Sequence, residues 1–436
     1  MSSNDPRLLI FESKIRVNFL PLTYARIGAG FLFGTTTLKE QIEAKLAAKV
    51  SDLLVPAYLK EYTAEMYPGV EVNQSIPSCC IVINSFVSQR PEIWKFMAHA
   101  LKEPDREFLY VDQAGIPIFG KLESFEPSVL DLGNIMRTKK TSRVRIKPLP
   151  PEFKELDLIR HPWELVRDNS EQIELDFISS KFTSKDGFSS SRGNDLEIRG
   201  SKVCFADSAD LERYVTIDAR NGPVIIDEGA EVQSFSHITG PSYIGKKSKV
   251  RSARIREGTT VGAVSKVSGE VEASIISEYS NKSHDGFIGH SFLGSWVNLG
   301  ALTTCSDLKN TYGNIRVKSG RKLVDTGQIK VGVFLADMSK TAIGALLSSG
   351  VSVGVASQVF GTVSGSVPSF TMFGKSLRAK SSQVILDSAL STQKRMMERR
   401  GLAMSPAFSS VIRSVYKMTE RERAFQRVTR SRFQLP

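Results

Sequence analysis

Cysteine is scarce in this 436-residue chain: Cys79, Cys80, Cys204 and Cys305 are the whole complement. Two of them are adjacent and no Cys-x-x-Cys occurs. A disulfide scaffold, a zinc ribbon and a thioredoxin-type redox pair are therefore excluded. No apolar run approaches the ~20 residues that cross a bilayer, and the N-terminus, MSSNDPRLLIF, lacks the apolar core of a secretory signal. A cytoplasmic protein with no membrane partner is expected. RNP-type aromatic motifs, helix-turn-helix patterning and paired Cys/His spacing are also missing, so nucleic acid is not an expected partner. What is present, 41% hydrophobic and 24% charged residues, is ordinary globular composition. At ~150 residues per domain it suffices for two or three domains.

The charge is uneven. The formal net charge is +12, and residues 375–436 hold 14 Lys/Arg against 4 Asp/Glu. A basic tail suits nucleic acid, an anionic cofactor or a solvated helix. KRMMERR and RSVYKMTERERAFQRVTR space their apolar residues like helices. Long basic side chains on an outer helical face need no partner.

Along the chain, LLIF (8–11) reads as a short buried strand. The segment 18–35, NFLPLTYARIGAGFLFGT, reads as a loop rich in Gly and Thr. Residues 37–55 carry helical periodicity, CCIVIN (79–84) is a second buried strand, and PEIWKFMAHALK (91–102) is a helix with proline in its first turn. EFLYVD and IPIFGKL form a hairpin around Gln-Ala-Gly. This alternation predicts a parallel, nucleotide-binding type of α/β domain. The Ser/Gly/Lys-rich stretch that begins at 178 reads as a linker.

From about 213 the pattern changes. Ile226, Val232, Ile238, Ile244 and Val250 recur every six residues; after a slip come Ile255, Val261 and Val267, and later Ile288, Leu293 and Leu299. A period of six matches neither a helix nor a lone strand. It fits a β-solenoid in which each hexad makes one side and one corner, and three hexads close a triangular coil. Coils stack at about 4.8 Å. Glycines 245, 262, 289, 294 and 300 follow the aliphatics and are expected to turn the corners with backbone angles costly for other residues. Residues 341–363 read as further coils, and the tail from about 378 as their cap.

The segment 266–301 breaks the hexads and is polar where it breaks them, with Glu270, Lys282, His284, Asp285, His290 and Asn298. A histidine near a carboxylate in an interrupted repeat is a general-base candidate. A surface histidine in a loop fits the same residues. A three-histidine zinc site from His237, His284 and His290 is a third reading, but a separation of six places the last two on successive sides, pointing apart.

GEVEASI, SNKSHDGFIG, WVNLGA and CSDLKNTYG occur here in that order, followed by DMSKTAIG, VFG, VPSF and the tail MMERRG. This series resembles the bifunctional N-acetylglucosamine-1-phosphate uridyltransferase/glucosamine-1-phosphate N-acetyltransferase family, in particular its divergent, Bacteroidetes/archaeal-like branch. NFLPLTYAR and VINSF extend the resemblance to the N-terminal half. It implies a nucleotidyltransferase-like (Rossmann-like) α/β domain over 1–177, a linker at 178–200, a left-handed parallel β-helix with acetyltransferase chemistry over 201–376, and a basic helical tail over 377–436. It implies acetyl-CoA as acyl donor, an amino-sugar phosphate as acceptor, and a homotrimer with the acetyl site between subunits.

Residue by residue, the resemblance makes His284 the base that deprotonates the glucosamine amine, with Glu270 orienting it. Asn298 would contact the sugar, Phe287 replaces a sugar-contacting tyrosine, and Arg256 would meet the sugar phosphate. Ser339 would contact coenzyme A and help hold the thioester oxyanion. Lys282 and Lys309 would meet phosphates or stand as solvated loop lysines. In the N-terminal half the branch's Arg-Pro-x-x-Asp/Glu-x-Arg stretch survives only as Arg26. Gly28, Gly30, Gly34 and Thr35 offer a phosphate cradle for a nucleoside triphosphate, with Mg²⁺ if that domain is active. Two further readings stand beside this one: a sugar-1-phosphate nucleotidyltransferase whose β-helix only oligomerises, and a non-enzymatic solenoid scaffold.

Overall fold

The computed structural model describes residues 6–103, 107–126, 144–154, 156–179, 195–320 and 322–435. Most of the expected linker lies outside them.

The N-terminal part is built on seven strands: β1 (Arg7–Phe11), β2 (Asp52–Leu54), β3 (Glu71–Val72), β4 (Cys80–Asn84), β5 (Phe108–Val111), β6 (Pro117–Leu122) and β7 (Arg145–Pro148). Their order is β3-β2-β1-β4-β6-β5-β7. The sheet is mixed, not parallel, because β6 runs antiparallel to both neighbours. The turn between β5 and β6 is too short for a crossover, and Asp112 Oδ1 closes it by accepting from the Ala114 and Ile116 N–H groups at 2.8 and 2.6 Å. The helix expected over 37–55 is shorter. α1 (Leu38–Leu46) starts at a Thr37–Glu40 capping box and ends at Ala47 in the left-handed region. The apolar residues after it leave the helical face and enter β2, parallel to β1. α2 (Lys60–Met66), α3 (Pro91–Ala100) and α4 (Pro162–Ser179) complete this part.

Residues 195–373 wind into a parallel β-helix of three faces. The hexad aliphatics form stacked inward columns. One column runs Ile198, Ile217, Ile238, Ile255, Val271, Ile288 on the second face. Another runs Ile226, Ile244, Val261, Ile276, Leu293, Leu335, Val353 on the third. On the first face the column Leu211, Val232, Val250, Val267 continues into Lys282, a lysine in a core position.

The corner glycines act differently from expectation. After Gly245, Gly262 and Gly294 positive φ falls two residues later, on Lys247, Val264 and Trp296. Gly245, Gly262 and Gly294 are small because the next coil passes too close: a Cβ on Gly262 would lie 2.7 Å from Glu278 N and 2.8 Å from Ile276 O. Serines share that corner. Ser248, Ser280 and Ser357 each donate to a carbonyl of a following coil at 2.7 Å.

Between two coils the chain leaves the stack at about 306 and returns at about 331. It carries an antiparallel hairpin, Arg316–Ser319 with Lys322–Asp325, that touches the N-terminal part, where Ser319 Oγ donates to the Asn18 carbonyl at 3.1 Å. The tail forms α5 (Leu386–Glu398), α6 (Pro406–Met418) and α7 (Glu420–Phe425). It packs across to the N-terminal part as well as on the last coils. Tyr62 stacks on Phe408 at 4.8 Å, and the Tyr24 hydroxyl donates to Glu422. One apolar core joins Phe19, Phe31 and Phe86, the third-face residues Ile275, Phe292 and Phe334, and Phe408, Val411 and Val415 of α6.

Candidate functional site

The second face presents an outward row in which Thr216, His237, Arg254, Glu270 and Phe287 stand on successive coils. With Phe235, Ser252, Ala253, Gly269, Asp285 and Gly286 at the adjoining corner, His237, Arg254, Glu270 and Phe287 of this row line an open cleft of about 460 Å³. Glu270 faces Arg256 at 3.5 Å and Arg254 at 3.8 Å. His284 is exposed and directly precedes Asp285, a residue that lines the cleft.

Lys282 lies beneath this corner. It is 2% exposed, and its Nζ donates to the carbonyls of Ser268 at 2.6 Å and His284 at 3.1 Å. Burial pushes its pKa down to about 8, with Asp285, Cys305 and Glu270 acting weakly the other way. The expectation that Lys282 meets a phosphate is thereby corrected: its amine is sealed in the coil and pins the backbone that carries His284.

Sequence reasoning missed how far this ion network extends. Arg256 Nη1 lies 2.8 Å from Glu272, Glu257 stands 3.6 Å from Nη2, and Glu272 also meets Lys330 at 3.4 Å. Arg256 thus faces three carboxylates, not an open phosphate site. At the next corner His290 Nδ1 meets Asp307 Oδ2 at 2.7 Å. Burial works against the charge of Asp307, but the His290 hydrogen bond prevails and keeps its pKa below the ordinary value. No spacing rule pairs residues 17 apart until the coil length is known. His237 lines the cleft, so the three histidines point to separate places. Among the described residues no group of three or more His, Cys, Asp or Glu could hold a metal ion.

The other expected site residues are dispersed. Asn298 is on the first face, its Oδ1 accepting from Asn281 Nδ2 at 3.4 Å. Ser339 occupies the corner-serine position. It is 1% exposed with no partner for its hydroxyl, and its N–H donates to Ala336 at 3.2 Å. That corrects its expected role against coenzyme A. Lys309 is on the excursion from the stack, its Nζ bonded to the Asn314 carbonyl.

The phosphate cradle expected from Arg26, Gly28, Gly30, Gly34 and Thr35 is already filled by the protein. The Gly28 N–H donates to Glu12 Oε1 at 2.8 Å, and Gly30 N–H to the Ile27 carbonyl at 3.1 Å. Gly34 N–H donates to Asn169 Oδ1 at 2.8 Å, and Thr35 N–H and Oγ1 to Asp176 at 2.7 and 2.8 Å. Arg26 Nε donates to Asp337 at 3.0 Å, and its Nη2 lies 3.4 Å from Glu278. Burial opposes the Arg26 charge, yet the two carboxylates outweigh it and raise the pKa. At Asp337 burial outweighs Arg26 and the Ser295 N–H and raises the pKa. We take the pair as ionised, because a guanidinium keeps its proton. Donors pointed at Glu12, Asn169 and Asp176 are not free for phosphate. Two carboxylates of this part are likewise engaged: Glu12 is bound by Gly28, Ala29 and Arg16, and Asp112 by its turn and by Arg160 at 2.9 Å.

Residues 8–182 match the family model described as sugar nucleotidyl transferase. A curated relative, the bifunctional protein GlmU of Jannaschia sp. (strain CCS1), is 34% identical over 99 residues, 22% of this chain and 21% of the relative. The chain thus spans about a fifth of the length of that relative. Among solved structures, the UDP-N-acetylglucosamine acyltransferase of Francisella novicida is similar at 17% identity, over 53% of this chain and 78% of the other, with a TM-score of 0.29. The Arabidopsis UDP-N-acetylglucosamine acyltransferase is similar at 14% identity, over 54% and 91%, with a TM-score of 0.28. No helix of the described residues is long and apolar enough to cross a membrane.

Proposed function

We propose that this protein is an acyltransferase whose β-helix transfers an acetyl group from acetyl-CoA to the amine of an amino-sugar phosphate, as a homotrimer, in nucleotide-sugar synthesis. The observation that carries the reading is the second-face cleft: the Glu270 carboxylate, the Arg254 guanidinium, the Phe287 ring and the His237 imidazole line it where the hexad repeat is broken, and the exposed His284 directly precedes its lining residue Asp285. The motif series from GEVEASI to CSDLKNTYG and the short match to GlmU support it.

His284 takes a proton from the acceptor amine as the nitrogen attacks the thioester carbonyl. The C–N bond forms, the C–S bond breaks, and the thiolate leaves as free thiol once protonated. Glu270, held by Arg254 and Arg256, fixes the polar wall of the cleft. The N-terminal part serves in this reading as a platform, since its glycine loop and carboxylates are engaged by the protein itself.

Purified protein given acetyl-CoA and glucosamine 1-phosphate should release thiol. His284→Ala should lower turnover at least ~10²-fold without unfolding, the scale of a lost general base. Undiminished turnover removes His284 from the reaction. No thiol release with any of a panel of amino-sugar phosphates ends the acyl-transfer reading.

A further inference from the structure

The first face of the β-helix carries an outward row of Lys249, Lys266, Asn281, Asn298, Lys340 and Gln358 on successive coils. Arg251 stands two residues beyond Lys249 on the same strand. The end of α5 brings Arg399 and Arg400 against this row, and Arg400 Nη2 donates to Asn281 Oδ1 at 2.8 Å. Like charges at such separations repel, and a surface that gathers them without acids is disfavoured unless something negative binds there.

Acids are missing here. Among the described residues Arg251, Lys266, Arg399 and Arg400 have no ion-pair partner. The neighbouring carboxylates are taken: Glu231 by Lys249 at 2.7 Å, and Glu398 faces Lys394 at 3.9 Å. Arg251 Nε is buried without a hydrogen-bond acceptor. Asn298 spends its Oδ1 on Asn281, which leaves its NH₂ as an outward donor. Lys266 is pulled below its ordinary pKa by burial and then by Arg400, Arg251, Lys249 and Arg399, and Arg400 is lowered by burial, Arg399 and Arg251. None of Arg251, Lys266, Arg399, Arg400 and Asn298 lines the second-face cleft.

We propose that Arg251, Lys266, Arg399, Arg400 and Asn298 form a binding site for a diphosphate-bearing small molecule. Two diphosphate oxygens can meet two guanidinium groups at once, whereas a carboxylate supplies too little charge for four cations. Coenzyme A and a nucleotide sugar both bring that diphosphate. The proposal does not depend on acyl transfer in the cleft.

Titration calorimetry on the full chain at low salt, with inorganic pyrophosphate, coenzyme A and UDP-N-acetylglucosamine as separate probes, tests it. Pyrophosphate and at least one nucleotide should bind, more weakly as salt rises. Lys266→Glu/Arg400→Glu should cut affinity at least ~10²-fold, the scale of two lost charge-assisted contacts, while Arg395→Glu on the exposed side of α5 should not. His284→Ala should bind as the parent does, so failure of the cleft reading leaves this one standing. Preference between the two nucleotides names the source. Unchanged affinity in the double variant overturns the proposal. So does absence of binding by all three probes, including the case where the double variant instead changes the oligomeric mass and the face is covered by a second copy.

Discussion

Replacing Lys282 with methionine removes a charge from a column whose preceding members are Leu211, Val232, Val250 and Val267. The amine is folded into the coil with its pKa pushed down to about 8 from 10.5. Between these values the unfolded chain holds more protons than the folded one, so stability rises with pH across that window. The penalty for burying the cation is full below about pH 8 and gone above about pH 10.5. The shift corresponds to about 3 kcal/mol in total, with a slope approaching about 1.4 kcal/mol per pH unit. Urea unfolding of both proteins at pH 7, 8, 9 and 10 gives the difference directly. Lys340, also pushed down to about 8 by burial, is present in both and cancels. The parent should gain on the variant steadily above pH 8. Because the same amine pins the His284 carbonyl, the variant should also turn over more slowly while remaining folded. A difference that stays flat from pH 7 to 10 refutes the buried, protonated lysine.

Arg26→Met leaves Asp337 buried and unpaired and should cost about 3–5 kcal/mol in urea unfolding, and Arg26→Met/Asp337→Leu should recover most of it; a single variant as stable as the parent shows that the pair carries no stability. Phe292→Ala empties the contact with Phe31, whose ring is 5.2 Å away. It should cost about 3–5 kcal/mol and separate the melting of the N-terminal part from that of the β-helix in calorimetry; one unchanged transition contradicts a shared core.

The β-helix was legible because its signal is local and repetitive. Each hexad aliphatic sits at a corner-to-corner interval that no other element shares, and every one named from the sequence is buried in the prism. Lys282 was misread for the same reason in reverse. Composition says that a lysine in a polar break is a surface residue, and only the register beside Val267 shows it facing inward. Ser339 failed likewise, since a serine at a ligand and a serine in a corner ladder look alike in one dimension. The Arg256–Glu272–Lys330 chain and the His290–Asp307 pair join residues up to 58 positions apart, through the excursion at 306–331, which has no repeat to set its register. The glycines of 28–34 were read as a phosphate cradle. Gly28 is there instead because a Cβ would lie 2.3 Å from the Phe86 ring.

The N-terminal part matches the sugar nucleotidyl transferase model over residues 8–182, yet its glycine loop faces inward. A phosphate loop needs N–H groups aimed at a space left empty. Here the space is occupied by α4 and by the third face of the β-helix. Asn169 accepts from Gly34 while donating to the Gly258 carbonyl at 2.8 Å, and Thr260 Oγ1 donates to the Gly34 carbonyl at 2.8 Å. The loop has become the seam between two folds, with Arg26 as its buried bolt. A loop used this way cannot open for a nucleotide without exposing Asp337 and the Phe31–Phe292 contact together. The seam therefore holds the third face rigid and covered. The first and second faces, where the free cations and the cleft lie, remain the surfaces on which a substrate can bind.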